Sequence, residues 1–299
     1  MPSTKPPLIV IVGPNASGKT DLAIKLAKKF NGEIISADSR QVYRGLDIGT
    51  GKATKKEQKI IKHHLIDVAS PKRDYNVSHF KKEVTAAIKL IIKKGKLPFL
   101  VGGTGFWIQA VVDNLNLPIV KPNKVLRLKL KNKTSQQLLI MLKKLDPTRA
   151  KNIDPQNPYR LIRAIEIVKA THRPIPELKS NSPYNVLMIG ITHTREKLHK
   201  KIGQRLKKRL KQGLISEVKR LHKKGVSWHR LNNFGLEYRF VSLYLQDKLT
   251  RQEMLEQLQF AIRNYAKRQM TWFQRDKRIH WNSNFDSASK LCKKFTNKK

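Results

Sequence analysis

The sequence predicts an α/β fold: a P-loop-containing parallel sheet flanked by helices, with a small all-helical insertion domain. Three observations carry this reading. Leu8–Val12 is an unbroken apolar run of the kind buried in a parallel strand. A Gly-rich turn and a segment with apolar residues at helical spacing follow it directly. The order strand, crossover helix, strand then recurs through Val101, which is the pattern of an open parallel sheet.

The first helix is expected over about Thr20–Phe30, with Leu22, Ala23, Leu26, Ala27 and Phe30 as its apolar face. Glu33–Ala37 reads as a second strand that ends at Asp38. Phe80, Val84, Ile88 and Ile91 mark another helix. Leu97–Val101 is a third strand, and Gly102-Gly103-Thr104-Gly105 turns it into a helix to about Val112. After Leu117 the prolines multiply and no strand pattern remains before Pro183. Helices are expected at Ser135–Leu145 and Tyr159–Lys169.

Val186–Ile191 returns to the sheet. Leu198, Ile202, Leu206 and Leu210 repeat every four residues in a helix crowded with Arg and Lys from Arg195 to Lys211. Leu255, Leu258, Ile262 and Tyr265 mark a further helix, and Arg278–Trp281 a short edge strand. The expected domains are a discontinuous catalytic core (7–118 and 184–281), a helical insertion (119–183) and a loose basic tail (282–299).

Of 299 residues, 63 are Lys or Arg and 21 are Asp or Glu, a formal net charge of +42. Leu, Ile, Val and Phe exceed the roughly 20 % below which highly charged chains stay disordered. The charge has two sources: a polyanion partner, and compositional drift toward Lys, Asn and Ile. Either way, a surface this basic attracts nucleic acid. No run approaches the ~18 apolar residues of a membrane span, and the N-terminus runs into a strand, unlike a signal peptide. The lone Cys292 excludes an internal disulfide framework and a Cys-based zinc site. A cytoplasmic, monomeric enzyme is expected.

Gly13-Pro14-Asn15-Ala16-Ser17-Gly18-Lys19-Thr20 matches G-x-x-x-x-G-K-[ST] between a strand and a helix. Its N–H groups can cradle a di- or triphosphate, Lys19 neutralises phosphate oxygens, and the Thr20 hydroxyl can ligate Mg²⁺. A nucleotide kinase or ATPase needs a carboxylate at the end of a later strand. Leu97–Val101 ends instead in Gly-Gly-Thr-Gly. The carboxylate is Asp38, after the second strand. Asp38 and Thr104 both fall at the C-terminal edge of the sheet, where ligands bind. A phosphate cradle, a carboxylate and a hydroxyl suit activation of a nucleophile better than nucleotide hydrolysis. A P-loop nucleotide or small-molecule kinase, and a non-enzymatic RNA-binding protein, remain as alternatives.

The chain resembles the tRNA isopentenyltransferase family. The resemblance rests on Gly13–Thr20, Ser36–Arg44, Asp47–Lys52, His63–Asp67, Val101–Gly105, Tyr159–Glu166 and Ala266–Phe273, which span nearly the whole chain. It implies transfer of a dimethylallyl group from dimethylallyl diphosphate to N6 of the adenosine on the 3′ side of the anticodon in tRNA. Gly13 to Thr20 then hold the diphosphate. Lys19 and Arg205 stabilise the leaving group, Mg²⁺ is the cofactor, Asp38 is the base and Thr104 hydrogen-bonds near the same centre. The implied contacts to the tRNA anticodon stem-loop are Asp38, Ser39, Arg40, Gln41, Thr104, Arg127, Tyr159, Arg160, Leu161, Ile162 and Arg163. Tyr159 stands where the family usually has Gln, and Phe234-Gly235-Leu236-Glu237 departs from the usual Gly-Tyr-Lys-Glu. His63 and His64 lack a carboxylate or Cys cluster and read as structural or substrate-positioning. Trp272 and Phe273 read as core.

Overall fold

The computed structural model describes residues 5–177, 180–282 and 284–297. They form two compact units: one contains the chain to Asn114 and from Asn181, the other Leu115–Ser180.

The first unit is built on six strands: β1 (Pro7–Val12), β2 (Gly32–Ala37), β3 (His63–His64), β4 (Leu97–Gly102), β5 (Asn185–Ile191) and β6 (Ile279–Asn282). They lie in the order β3-β2-β4-β1-β5-β6, and every neighbouring pair is parallel. All six C-terminal ends therefore share one edge, and the loops after β1, β2 and β4 meet there.

The period of two along β1 decides which layer each side chain joins. Ile9 and Ile11 pack with Leu22, Ala23 and Leu26 of α1 (Lys19–Lys29) on one face. Leu8, Val10 and Val12 pack on the other. That second face is covered by α3 (Val77–Lys93), which follows the short α2 (Lys55–Ile60), and by α4 (Gly105–Val112). Phe80, Val84, Ile88 and Ile91 of α3 are buried there, at the spacing of one helix face. Asn76 caps α3 by accepting hydrogen bonds from the Ser78 and His79 N–H groups.

The Leu115–Ser180 unit holds α5 (Lys124–Lys131), α6 (Ser135–Leu145), α7 (Pro147–Lys151) and α8 (Pro158–Thr171). Its core joins Leu130, Leu138, Leu142, Leu161, Ala164 and Ile165. Thr134 starts α6 with a reciprocal capping box to Gln137. Buried Glu166 ties the unit together by accepting from Arg127, from Arg163 and from the Asn123 N–H. Burial alone would raise this carboxyl, but those donors hold it at about 2.

After β5 come α9 (Arg195–Lys211), α10 (Leu214–Lys223), α11 (Trp228–Asn233), α12 (Leu236–Tyr244) and α13 (Arg251–Phe273). Leu198, Ile202 and Leu206 of α9 interlock with Leu258, Ile262 and Ala266 of α13.

Two expectations, on the tail and on Leu161, need correction. The tail from Asn282 is not loose: Phe285–Thr296 forms α14, because Phe285, Ala288, Cys292 and Phe295 make an apolar stripe that joins the α1 side of the sheet. Ser283, Lys298 and Lys299 lie outside the described residues. The His-His pair forms a two-residue edge strand. His64 Nε2 lies 2.7 Å from Glu33, and His63 Nδ1 lies 2.8 Å from the Ile61 carbonyl, contacts that fit the structural reading of the pair. Leu161, expected among tRNA contacts, is wholly buried in the second unit's core.

Candidate active site

The loop from Gly13 to Gly18 leaves β1 and enters α1. Gly18 takes φ +90° at the N-cap, a conformation that side chains resist. The α1 N-terminus thus opens toward the loop, as an anion site requires. The Lys19 Nζ donates to the Pro14 carbonyl at 3.3 Å, folding the ammonium back over the loop. His193, just past β5, places Nε2 2.8 Å from the Ser17 carbonyl and so fastens the loop from a second side.

A pocket of about 1010 Å³ opens above this loop. Asn15–Asp21, Asp38, Gln41, Arg205, Lys208 and Arg209 line it, together with the segment Asp47–Lys52. Its electrostatics are cationic. Burial, then the charges of Arg205 and Arg209, lower the Lys19 pKa to about 8, against the opposing pull of Asp38. Burial and Arg209 also lower Arg205 to about 10. Cations held at such cost mark a site shaped for a polyanion.

Asp38 and its neighbours lie on the loop after β2. Asp38 Oδ1 accepts from the Arg40 N–H at 2.8 Å, a turn typical of Asp. Thr104 sits at the N-cap position of α4 but does not cap it. Its Oγ1 accepts from the Ser39 N–H at 3.2 Å, which ties the β4 loop to the β2 loop. Ser36 donates to Gln41 Oε1 at 2.8 Å, and Gln41 Nε2 reaches the Gly51 carbonyl at 3.3 Å. Three separate sets of bonds thus fix the segment Asp38–Gln41, to its own turn, to Thr104 and to the Gly51 carbonyl.

Four residues that hold this site were not singled out from the sequence. Gln269 of α13 accepts from the Asn15 N–H and donates to the Gly103 carbonyl, each at 2.8 Å. Glu217 of α10 accepts from the N–H groups of Asp47, Ile48 and Gly49 and from the Tyr238 hydroxyl. Arg209 pairs with Glu237 at 2.5 Å. The signal for Arg209 was present in its position one helical turn after Arg205. Glu237 and Gln269 lie in the motif segments Phe234–Glu237 and Ala266–Phe273, but their bonds to Arg209 and to distant backbone left no local sign, and Glu217 gave none.

The expected contacts of the helical unit divide in two. Tyr159 is 84 % exposed and Arg160 is exposed. Arg127 and Arg163 are instead engaged by Glu166, and Ile162 packs against the unit's core.

No group of three His, Cys, Asp or Glu side chains among the described residues could cage a metal by itself. Thr20, Asp21 and Asp38 line the same pocket, oxygen donors that fit a divalent ion held by few protein oxygens, phosphate oxygens and water.

Comparison with known proteins agrees with this layout. The family described as IPP transferase matches residues 41–276, and the family described as Isopentenyl transferase matches residues 6–71. A tRNA dimethylallyltransferase of Pelotomaculum thermopropionicum is 42 % identical over 93 % of this chain and 90 % of its own length. A tRNA dimethylallyltransferase 1 of Syntrophus aciditrophicus is 44 % identical over 91 % and 90 %. The crystal structure of the full-length tRNA isopentenylpyrophosphate transferase from Bacillus halodurans superposes with a TM-score of 0.74 at 37 % identity, covering 98 % of both chains. A eukaryotic dimethylallyltransferase acting on tRNA gives 0.75 at 26 % identity, covering 95 % of this chain and 75 % of the other.

Proposed function

The chain belongs to the tRNA isopentenyltransferase family, and from that premise we propose that it transfers the dimethylallyl group of dimethylallyl diphosphate to N6 of the adenosine 3′ to the anticodon in tRNA. It is an enzyme, a prenyltransferase that acts on tRNA. One observation carries the reading: Lys19, Arg205 and Asp38 face a single pocket, with cations for a diphosphate and a carboxylate for a nucleophile.

The allylic C–O bond breaks, and its electron pair passes to the diphosphate. Lys19, the N–H groups of the phosphate loop and Arg205 meet the charge that grows there. The N6–C bond forms as the adenine amine attacks the same carbon. This amine is a weak nucleophile because its lone pair is delocalised into the ring. Asp38 accepts a hydrogen bond from N6–H and takes the proton as the new bond forms. Thr104, already held on the Ser39 amide, supplies a hydroxyl beside the same centre. Thr20 would hold Mg²⁺ with the diphosphate, and the ion would add positive charge at the leaving group.

The target base has to leave its stack to reach Asp38. Ser39, Arg40 and Gln41 adjoin it in this reading. Tyr159 offers an exposed ring for stacking, and Arg160 a phosphate contact. The enzyme works as a cytoplasmic monomer in this reading. Among the described residues no helix is long and apolar enough to cross a membrane.

The test uses two anticodon stem-loops that differ only at the target position, adenosine in one and guanosine in the other. Guanosine has no N6 amine, so only the adenosine hairpin should become prenylated. Equal prenylation of both would overturn the assignment of N6.

A further inference from the structure

We infer that Arg209 is a second guanidinium contact of the diphosphate, acting with Arg205 and Lys19 on the leaving group. The inference rests on the diphosphate reading of the pocket and adds a residue to it.

Arg205 and Arg209 stand one turn apart on α9 and so share a face. Their ends converge on Gly51. A Cβ at Gly51, whose φ is +61°, would lie 1.9 Å from Arg205 Nη2 and 2.3 Å from Arg209 Nη2. The two guanidinium groups are thus side by side at the wall of the pocket that the phosphate loop also lines. Arg209 is 7 % exposed, and a charge so buried needs a partner. Glu237 supplies one to Nη1, at 2.5 Å. Asp38 and Asp21 also pull on these cations, but Lys201 and Lys208 line the same pocket and keep its wall cationic. The Nη2 side of Arg209 faces the same space as Arg205.

The repulsion is visible in its neighbours. Arg209 contributes to the lowered pKa of Lys19 and, after burial, is the main cause of the lowered Arg205. An arrangement that repels itself when empty is stabilised when a polyanion enters. A diphosphate offers enough non-bridging oxygens for two planar guanidinium forks, which suit phosphate better than ammonium groups do. As the allylic C–O bond breaks and its electron pair moves onto the diphosphate, both forks gain in interaction energy. Glu237 then serves to hold the Arg209 side chain in place.

The experiment compares the wild type with Arg209→Met, Arg209→Lys and Lys19→Ala in the full chain. Binding of inorganic diphosphate is measured by calorimetry from pH 6 to 10, and turnover is measured on tRNA. Arg209→Met should weaken diphosphate about tenfold or more and slow turnover by about 10²-fold, typical of losing one donor to the developing charge. It should also move the pH midpoint of diphosphate binding upward, because Lys19 loses a repelling neighbour. A merely structural Arg209 would give the same midpoint shift, so affinity at pH 6 to 7, where Lys19 is protonated in every Arg209 variant, decides whether Arg209 contacts the diphosphate. Arg209→Lys keeps the charge but not the fork and should fall between the two; it carries the test if Arg209→Met does not fold. Diphosphate affinity in the Arg209 variants equal to wild type, with Lys19→Ala impaired, overturns the inference and leaves the site. Undiminished affinity in Lys19→Ala overturns the diphosphate reading itself.

Discussion

Gln269 Oε1 accepts a 2.8 Å hydrogen bond from the Asn15 N–H, across 254 positions of sequence. The same amide donates to the Gly103 carbonyl, the residue before Thr104. One buried side chain therefore fixes the spacing between the phosphate loop and the turn that carries Thr104. In a displacement reaction that spacing sets the approach of the nucleophile to the carbon bearing the leaving group.

Gln269→Glu keeps the acceptor for Asn15 and loses the donor to Gly103. It should retain affinity for dimethylallyl diphosphate and lose turnover, about tenfold to a hundredfold, in steady-state kinetics. Gln269→Ala breaks both bonds and should raise KM for the diphosphate as well. Equal kcat in all three proteins would show that the spacing is held by other contacts.

Lys19 gives the reaction a pH limit. In the proposed mechanism the ammonium form binds the diphosphate, and burial beside Arg205 lowers the Lys19 pKa to about 8. Below pH 8 the affinity should be flat. Above it, affinity should fall toward tenfold per pH unit, since binding must first restore the proton. Bound diphosphate raises the pKa, so kcat should tolerate higher pH than kcat/KM for the diphosphate does. A kcat/KM profile still flat at pH 9.5 would contradict this.

Asp38→Asn keeps the shape, and its amide carbonyl can still accept from N6–H, but it cannot take the proton. Single-turnover rates should drop by about 10²–10⁴, with tRNA affinity almost unchanged. Loss of tRNA binding at an unchanged single-turnover rate would make Asp38 a recognition residue.

The two arginines of α8 should behave differently. Arg160→Ala should weaken tRNA binding and lower the slope of log K against log salt by about 0.7–0.9, one phosphate contact. Arg163→Ala removes a donor from buried Glu166. It should destabilise the helical unit by about 1–2 kcal/mol, an amount reduced because Arg163 is a third exposed. Its folded pKa of about 2 lies below the ordinary 4.5, so the Glu166 contribution is present above pH 4.5 and is lost as pH falls toward 2. Denaturant unfolding with salt-dependent binding separates the two effects. Identical behaviour of the two variants in both assays would contradict the division.

The parallel strands were legible because Leu8–Val12, Glu33–Ala37, Leu97–Val101 and Val186–Ile191 are apolar runs bounded by turn residues. The phosphate loop and Asp38 were legible because their chemistry is local to a strand end. β3 was not, since two histidines on a sheet edge have no hydrophobic pattern. α14 was hidden by its lysines, though Phe285, Ala288, Cys292 and Phe295 carry the stripe. Arg127 looked like a free charge because its partner Glu166 lies 39 positions away, whereas the Arg163–Glu166 pair, three residues apart on α8, was there to be read. The roles of Glu217, Glu237 and Gln269 escaped for a further reason. Their roles are long-range bonds to backbone or to another buried side chain, as in the Glu217 bond to the Ile48 N–H across 169 positions.

The central claim is prenyl transfer to tRNA, and incubation with labelled dimethylallyl diphosphate and unmodified tRNA tests it most directly. After digestion to nucleosides, the account predicts label in N6-isopentenyladenosine alone, derived from the position 3′ to the anticodon and absent when Lys19→Ala replaces the wild type. No label in the nucleosides, or label on a nucleoside other than adenosine, would contradict it.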